Sequence, residues 1–133
     1  MRTLALVVSV ALLLFFGVSG IQSFLGDWGL AETVSQRLAN LGQLVFAVAG
    51  LTAGTGAILK RGWTGKATLV FAGAVAFTAW AGPVAWGEAG IFRSLLDGVL
   101  GFLVGCVLYL GVRGVGKTGS QVREPTTAEP PLP

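Results

Sequence analysis

Residues 38–87 read LANLGQLVFAVAGLTAGTGAIL-KRGWTGK-ATLVFAGAVAFTAWAGPVAWG: two uncharged apolar runs, Leu38–Leu59 and Ala67–Gly87, joined by a loop that carries Lys60, Arg61 and Lys66. Each run is long enough to cross a ~30 Å hydrocarbon layer as a helix. Neither alternates apolar and polar residues with period two, as a barrel strand would. A helix also satisfies its own backbone hydrogen bonds in lipid. The loop between them is short, so the two runs are expected to be antiparallel neighbours. Working outward, the pattern repeats twice. Thr3–Gly26 is free of charge, and Ile91–Val112 holds only Arg93 and Asp97, near its start. The expected fold is an all-α integral membrane protein with four transmembrane helices in an antiparallel bundle. The spans are 3–26, 38–59, 67–87 and 91–112, forming a membrane domain over 1–113.

The composition of the 133 residues agrees: 53% are hydrophobic and 11% charged, where a soluble domain carries about 25% charge. So few charges cannot cover a water-soluble domain of this size. There is no His and a single Cys, Cys106. That removes imidazole-ligated haem, zinc and copper sites, His-dependent nucleophilic triads and any disulfide within the chain. Cys106 lies deep in the fourth span and reads as a small packing residue. A quinone-linked disulfide enzyme would need a Cys-x-x-Cys pair, and a small multidrug transporter a glutamate inside the first span; neither is present. No catalytic residue, metal ligand or cofactor is expected.

The basic residues set the orientation. Arg2, Lys60, Arg61, Lys66, Arg113, Lys117 and Arg123 fall on one side of the four spans, and only Arg37 and Arg93 on the other. By the positive-inside rule both termini are cytoplasmic. The net charge of +3 then meets anionic lipid headgroups rather than nucleic acid. Abundant Ala, Gly and Val with little Lys, Asn and Ile point to a GC-rich bacterium, hence to a bacterial cytoplasmic (inner) membrane. Met1-Arg2, an apolar run and Val18-Ser19-Gly20 resemble a signal peptide, but the run is longer than an ordinary signal core, so the first span is expected to be retained. Between spans one and two, Leu30, Val34, Leu38 and Leu41 recur at helical spacing and predict either an extra turn or two leading into span two or, as the fold is expected here, a short outer helix capped by Asp27. From Gly114 on, the composition turns to Gly, Thr, Glu and Pro, and an extended or disordered cytoplasmic tail is expected over 114–133. Gly111–Thr118 matches the phosphate-loop pattern, yet it follows a membrane span instead of a strand, so nucleotide binding is not expected.

Two sets of residues stand out inside the spans. Gly50 with Gly54, and Gly98 with Gly101 and Gly105, repeat at three- or four-residue spacing and let helix backbones approach closely. The first span is bulkier, with Leu12, Leu13, Leu14, Phe15 and Phe16 in a row, and is expected to meet lipid or another protein more than its own bundle. The second set is polar. Gln36, Asn40 and Gln43 share one face of the helix entering span two, while Arg93 and Asp97 lie four apart on span four. All lie toward the outer boundary, so Gln43, Arg93 and Asp97 are expected to form an intramembrane polar cluster. An intramembrane carboxylate is a functional candidate by default; interhelical polar packing is the preferred explanation here. With so little chemistry, the expected function is a non-enzymatic accessory or scaffolding subunit that packs against other integral membrane subunits of a larger, respiratory or photosynthetic, complex. The alternative is a small oligomeric transporter or channel using Asp97 and the Gln36/Asn40/Gln43 face.

Overall fold

The computed structural model describes residues 1–115; the expectation of an extended or disordered tail falls almost wholly on 116–133, outside the described residues, as do Lys117 and Thr118 of the phosphate-loop pattern. Four helices make up the fold: α1 (Arg2–Trp28), α2 (Val34–Ile58), α3 (Thr64–Ala85) and α4 (Ile91–Val112). Each is long and apolar enough to cross a membrane, and no strand occurs among the described residues. At about 1.5 Å per residue they run from roughly 33 to 40 Å, a little more than a bilayer core. Each helix packs on the next in the chain, and α1 touches α4 to close a ring.

The expected boundaries hold to within a few residues, with one correction. No separate outer helix forms. Residues 34–41 are the first turns of α2 itself. Asp27 does not cap them; it belongs to the last turn of α1. The cap is Thr33, whose Oγ1 accepts from the Gln36 backbone N–H at 3.2 Å. Gln36 Oε1 in turn accepts from the backbone N–H of Thr33 at 3.1 Å and of Glu32 at 2.8 Å. This reciprocal capping box satisfies donors that the start of a helix otherwise strands, so the helix begins there and runs on unbroken into the span. Leu30, Val34, Leu38 and Leu41 do lie near one another, but all four face outward.

At the far end of α3 the chain closes with a Schellman turn. Gly87 N–H donates to Val84 O and Glu88 N–H to Pro83 O at 2.8 Å, with Gly87 at φ +69°. That left-handed conformation is one glycine adopts without a Cβ penalty. Pro83 itself sits in the last turn of α3, where it helps end the helix.

The first span joins the bundle more closely than its bulk implied. Ser9, Leu13, Gly17 and Gly20 form its buried stripe. A Cβ on Gly17 would lie 3.0 Å from the Leu51 backbone N, and one on Gly20 2.9 Å from Ala47 Cβ. These two glycines bring α1 onto α2, while Leu12 and Phe15 point outward. The apolar core gathers where Leu13, Ala53, Ala57, Phe71, Leu108 and Val112 meet. Phe71 is its centre, with the rings of Phe16 and Phe46 at 6.2 and 6.1 Å.

Candidate functional site

All five glycines singled out from the sequence face a neighbouring helix of the same chain. At Gly50 a Cβ would come within 2.9 Å of Leu13 O, and at Gly54 within 2.7 Å of Leu14 Cδ2, so both serve the α1–α2 contact. Gly98 lies against Ala76 O and Trp80 Cβ, Gly101 against Val75, and Gly105 directly against Ala72. This row seats α4 on α3. Space for another subunit's helix is therefore not what these glycines provide.

The polar residues divide into three groups. Gln36 is held at the α2 cap. Asn40 and Gln43 enter the bundle, where Asn40 is fully buried. Gln43 Nε2 donates to Asp27 Oδ2 at 3.3 Å, a link between α1 and α2 that sequence spacing did not bring to notice because the partners lie on different elements. Arg93 and Asp97 go elsewhere: both are exposed, to one side of the buried stripe of Ser94 and Gly98. The expected cluster of Gln43 with Arg93 and Asp97 is thus not assembled around one point. The reason is the heptad-like row Ser94, Gly98, Gly101, Gly105, which commits α4's narrow face to α3 and turns the two charged side chains outward.

Around Gln43 lies a cleft of about 290 Å³, walled by Asp27, Thr78 and Trp86, with the Gly82-Pro83 turn of α3 and Glu88 at its edge. The Schellman turn is what places Trp86 and Glu88 here, beside the end of α1. Several buried polar atoms in this half of the bundle have no hydrogen-bond partner in the chain: both amide atoms of Asn40, Gln43 Oε1, Thr78 Oγ1 and Ser94 Oγ. Each such group costs about 1–3 kcal/mol. At the other end of the bundle two buried threonines are satisfied: Thr64 Oγ1 donates to Arg61 O at 2.7 Å and Thr68 Oγ1 to Thr64 O at 2.9 Å. The unpaired groups are confined to one end, the end with the cleft. Among the described residues no three His, Cys, Asp or Glu side chains gather in a metal-binding group. Comparison with known protein families, with curated proteins and with solved structures finds no match to this chain.

Proposed function

We propose that the protein is a non-enzymatic subunit of a larger bacterial membrane complex, possessing four antiparallel spans with both termini cytoplasmic, and that it packs against other integral membrane subunits through the outward face of α4. The four apolar helices support the membrane setting, and the seven-to-two sorting of basic residues supports the orientation. The observation that carries the role is the position of Asp97. It lies in the second turn of α4, about 9 Å along the helix from Ile91, beside Leu100 and Val104, which follow it one and two turns on and are also exposed. A carboxylate is costly against lipid, and no salt bridge forms with Arg93 or any other residue among the described ones. Arg93 is in the first turn and its long side chain reaches the headgroup level. Asp97 is too short to do so. A neighbouring protein with a donor opposite Asp97 resolves the cost. Respiratory and photosynthetic assemblies are typical hosts for such a subunit.

The test is gentle solubilisation followed by native mass spectrometry. The expected result is a complex with other subunits from the wild-type chain. From an Asp97→Leu variant, the expected result is a folded but isolated chain. An isolated monomer from both would overturn the assignment.

The outer cleft favours a second reading, a small oligomeric transporter or channel. Gln36 is occupied at its cap and Asp97 faces away from Asn40, so a polar path through Asp97 would have to run between copies. Substrate-dependent proton flux in proteoliposomes, abolished by Asp97→Asn, is its signature.

A further inference from the structure

We propose that the neighbour seated on the outer half of α4 is a second copy of this chain, with Asp97 of each copy paired to the partner's Arg93. This rests on α4 being a packing face, and it names what packs there. Arg93, Asp97, Leu100, Val104 and Val107 follow one another at spacings of four, three, four and three, the heptad seam along which two helices interlock. All five are exposed. They run beside Gly98, Gly101 and Gly105, which lie against α3, so the seam is free while the bundle stays intact. Gly111 continues it inward, where Ser9 and Ala5 of α1 fill it. The exposure of Val104 and Asp97 shows that α1 has drawn away from the rest.

The two charges make this seam complementary to itself. Copies inserted with the same orientation are related by a two-fold axis along the membrane normal, which sets equal residues at equal depth and makes every contact reciprocal. Arg93 stands about 6 Å nearer the membrane surface than Asp97, four residues at about 1.5 Å each. Side chains on a helix lean toward its N-terminus, so Asp97 leans to the depth of the partner's Arg93. Two ion pairs result, one on each side of the axis. Within a single helix, a cation followed by an anion four residues on is the weaker order for a pair. An acyl chain in the same place leaves the carboxylate against hydrocarbon. Deeper in the membrane, Leu100, Val104 and Val107 meet their counterparts in the partner.

The test uses the full chain, purified and reconstituted alone in liposomes, with the dimer fraction counted by single-molecule photobleaching over a range of protein-to-lipid ratios. The wild type is expected to dimerise. Arg93→Asp and Asp97→Arg are each expected to weaken the dimer about a hundredfold, roughly tenfold for each of the two charged pairs lost. Mixed together, the two variants are expected to pair with each other, because every facing charge is then opposite. A chain that had merely misfolded gains nothing from the mixture. In a Cys106→Ser background, Leu100→Cys is expected to crosslink between copies on oxidation, and Val99→Cys, exposed on another side of α4, is not. A wild type that stays monomeric at every ratio, reversals that dimerise like it, or a mixture no better than either variant alone overturns the second copy. Native mass spectrometry of gently solubilised cell membranes reads the packing role separately. A chain monomeric in liposomes that holds a different subunit there, lost with Asp97→Leu, overturns the second copy and leaves the packing role standing. An isolated chain in both settings overturns the two together.

Discussion

Replacing Gly50 by alanine adds one methyl group at the point where three helices meet. That methyl would sit 2.9 Å from Leu13 O on α1 and 3.2 Å from the Phe71 ring on α3. Ordinary contacts are about 3.5–4.0 Å, so something must move by roughly half an ångström. Leu13 O is part of a helix backbone and moves only with α1 as a whole. Phe71 is 1% exposed and pinned between Phe16 and Phe46. Overpacking of this kind costs about 1–3 kcal/mol, offset by up to about 1 kcal/mol from alanine's better helix propensity. Gly73 is the control: it is helical, exposed and has nothing within 4 Å of where a Cβ would stand, so Gly73→Ala keeps the propensity gain alone. The two variants should differ by about 2 kcal/mol, close to thirtyfold in the unfolding equilibrium. Equilibrium unfolding by sodium dodecyl sulfate in mixed micelles, followed by circular dichroism, measures this directly. If Gly50→Ala proves as stable as Gly73→Ala, the close approach of α1, α2 and α3 at this point is wrong.

Two further substitutions are read by the same titration. Asn40→Leu replaces a fully buried amide whose two polar atoms are unpaired and should stabilise the fold by about 1–3 kcal/mol; a loss of stability would show that the amide is engaged. Lys60 adopts φ 53° at the end of α2, which costs a residue with a Cβ about 1 kcal/mol, so Lys60→Gly should gain up to that amount, and a net loss would refute the strain.

The four helices were legible because each is an apolar run of about the twenty residues that crossing a bilayer takes, and Leu38–Leu59 and Ala67–Gly87 are such runs in plain view. The start of α2 was legible in principle too: Thr33-Val34-Ser35-Gln36 is a capping-box pattern, but the spaced leucines around it drew the eye to a separate helix. Gly17 and Gly20 were masked in the same way by the run of bulky residues just before them, although only the narrow face of a helix decides how close it packs. The cleft was hidden for a different reason. Asp27, Gln43, Thr78 and Glu88 come from four places in the chain, and no spacing rule links residues on separate helices. Conversely, Arg93 and Asp97 looked inward because they are polar, whereas the row of small residues on α4 had already claimed the inner face for α3.

The seam between α1 and α4 is much thinner than the contacts between consecutive helices, and its clearest meeting point is Gly111 against Ser9 and Ala5. Val104 and Asp97 stand one and two heptads before Gly111, on nearly the same stripe of α4, and both are exposed, so the two helices part as they leave that point. The broad contacts all join helices made one after the other, with Phe16 against Phe71 adding a point where α1 meets α3. The protein is in effect a strip of three broad hinges rolled up and fastened by a light clasp. Such a strip assembles in the order of its synthesis, since each joint needs only the segment just made, and the clasp closes last. Under stress it also lets go first, leaving the three hinges whole. That opening, edged by Asp97, is where an acyl chain or the helix of an incoming subunit would enter without unfolding anything.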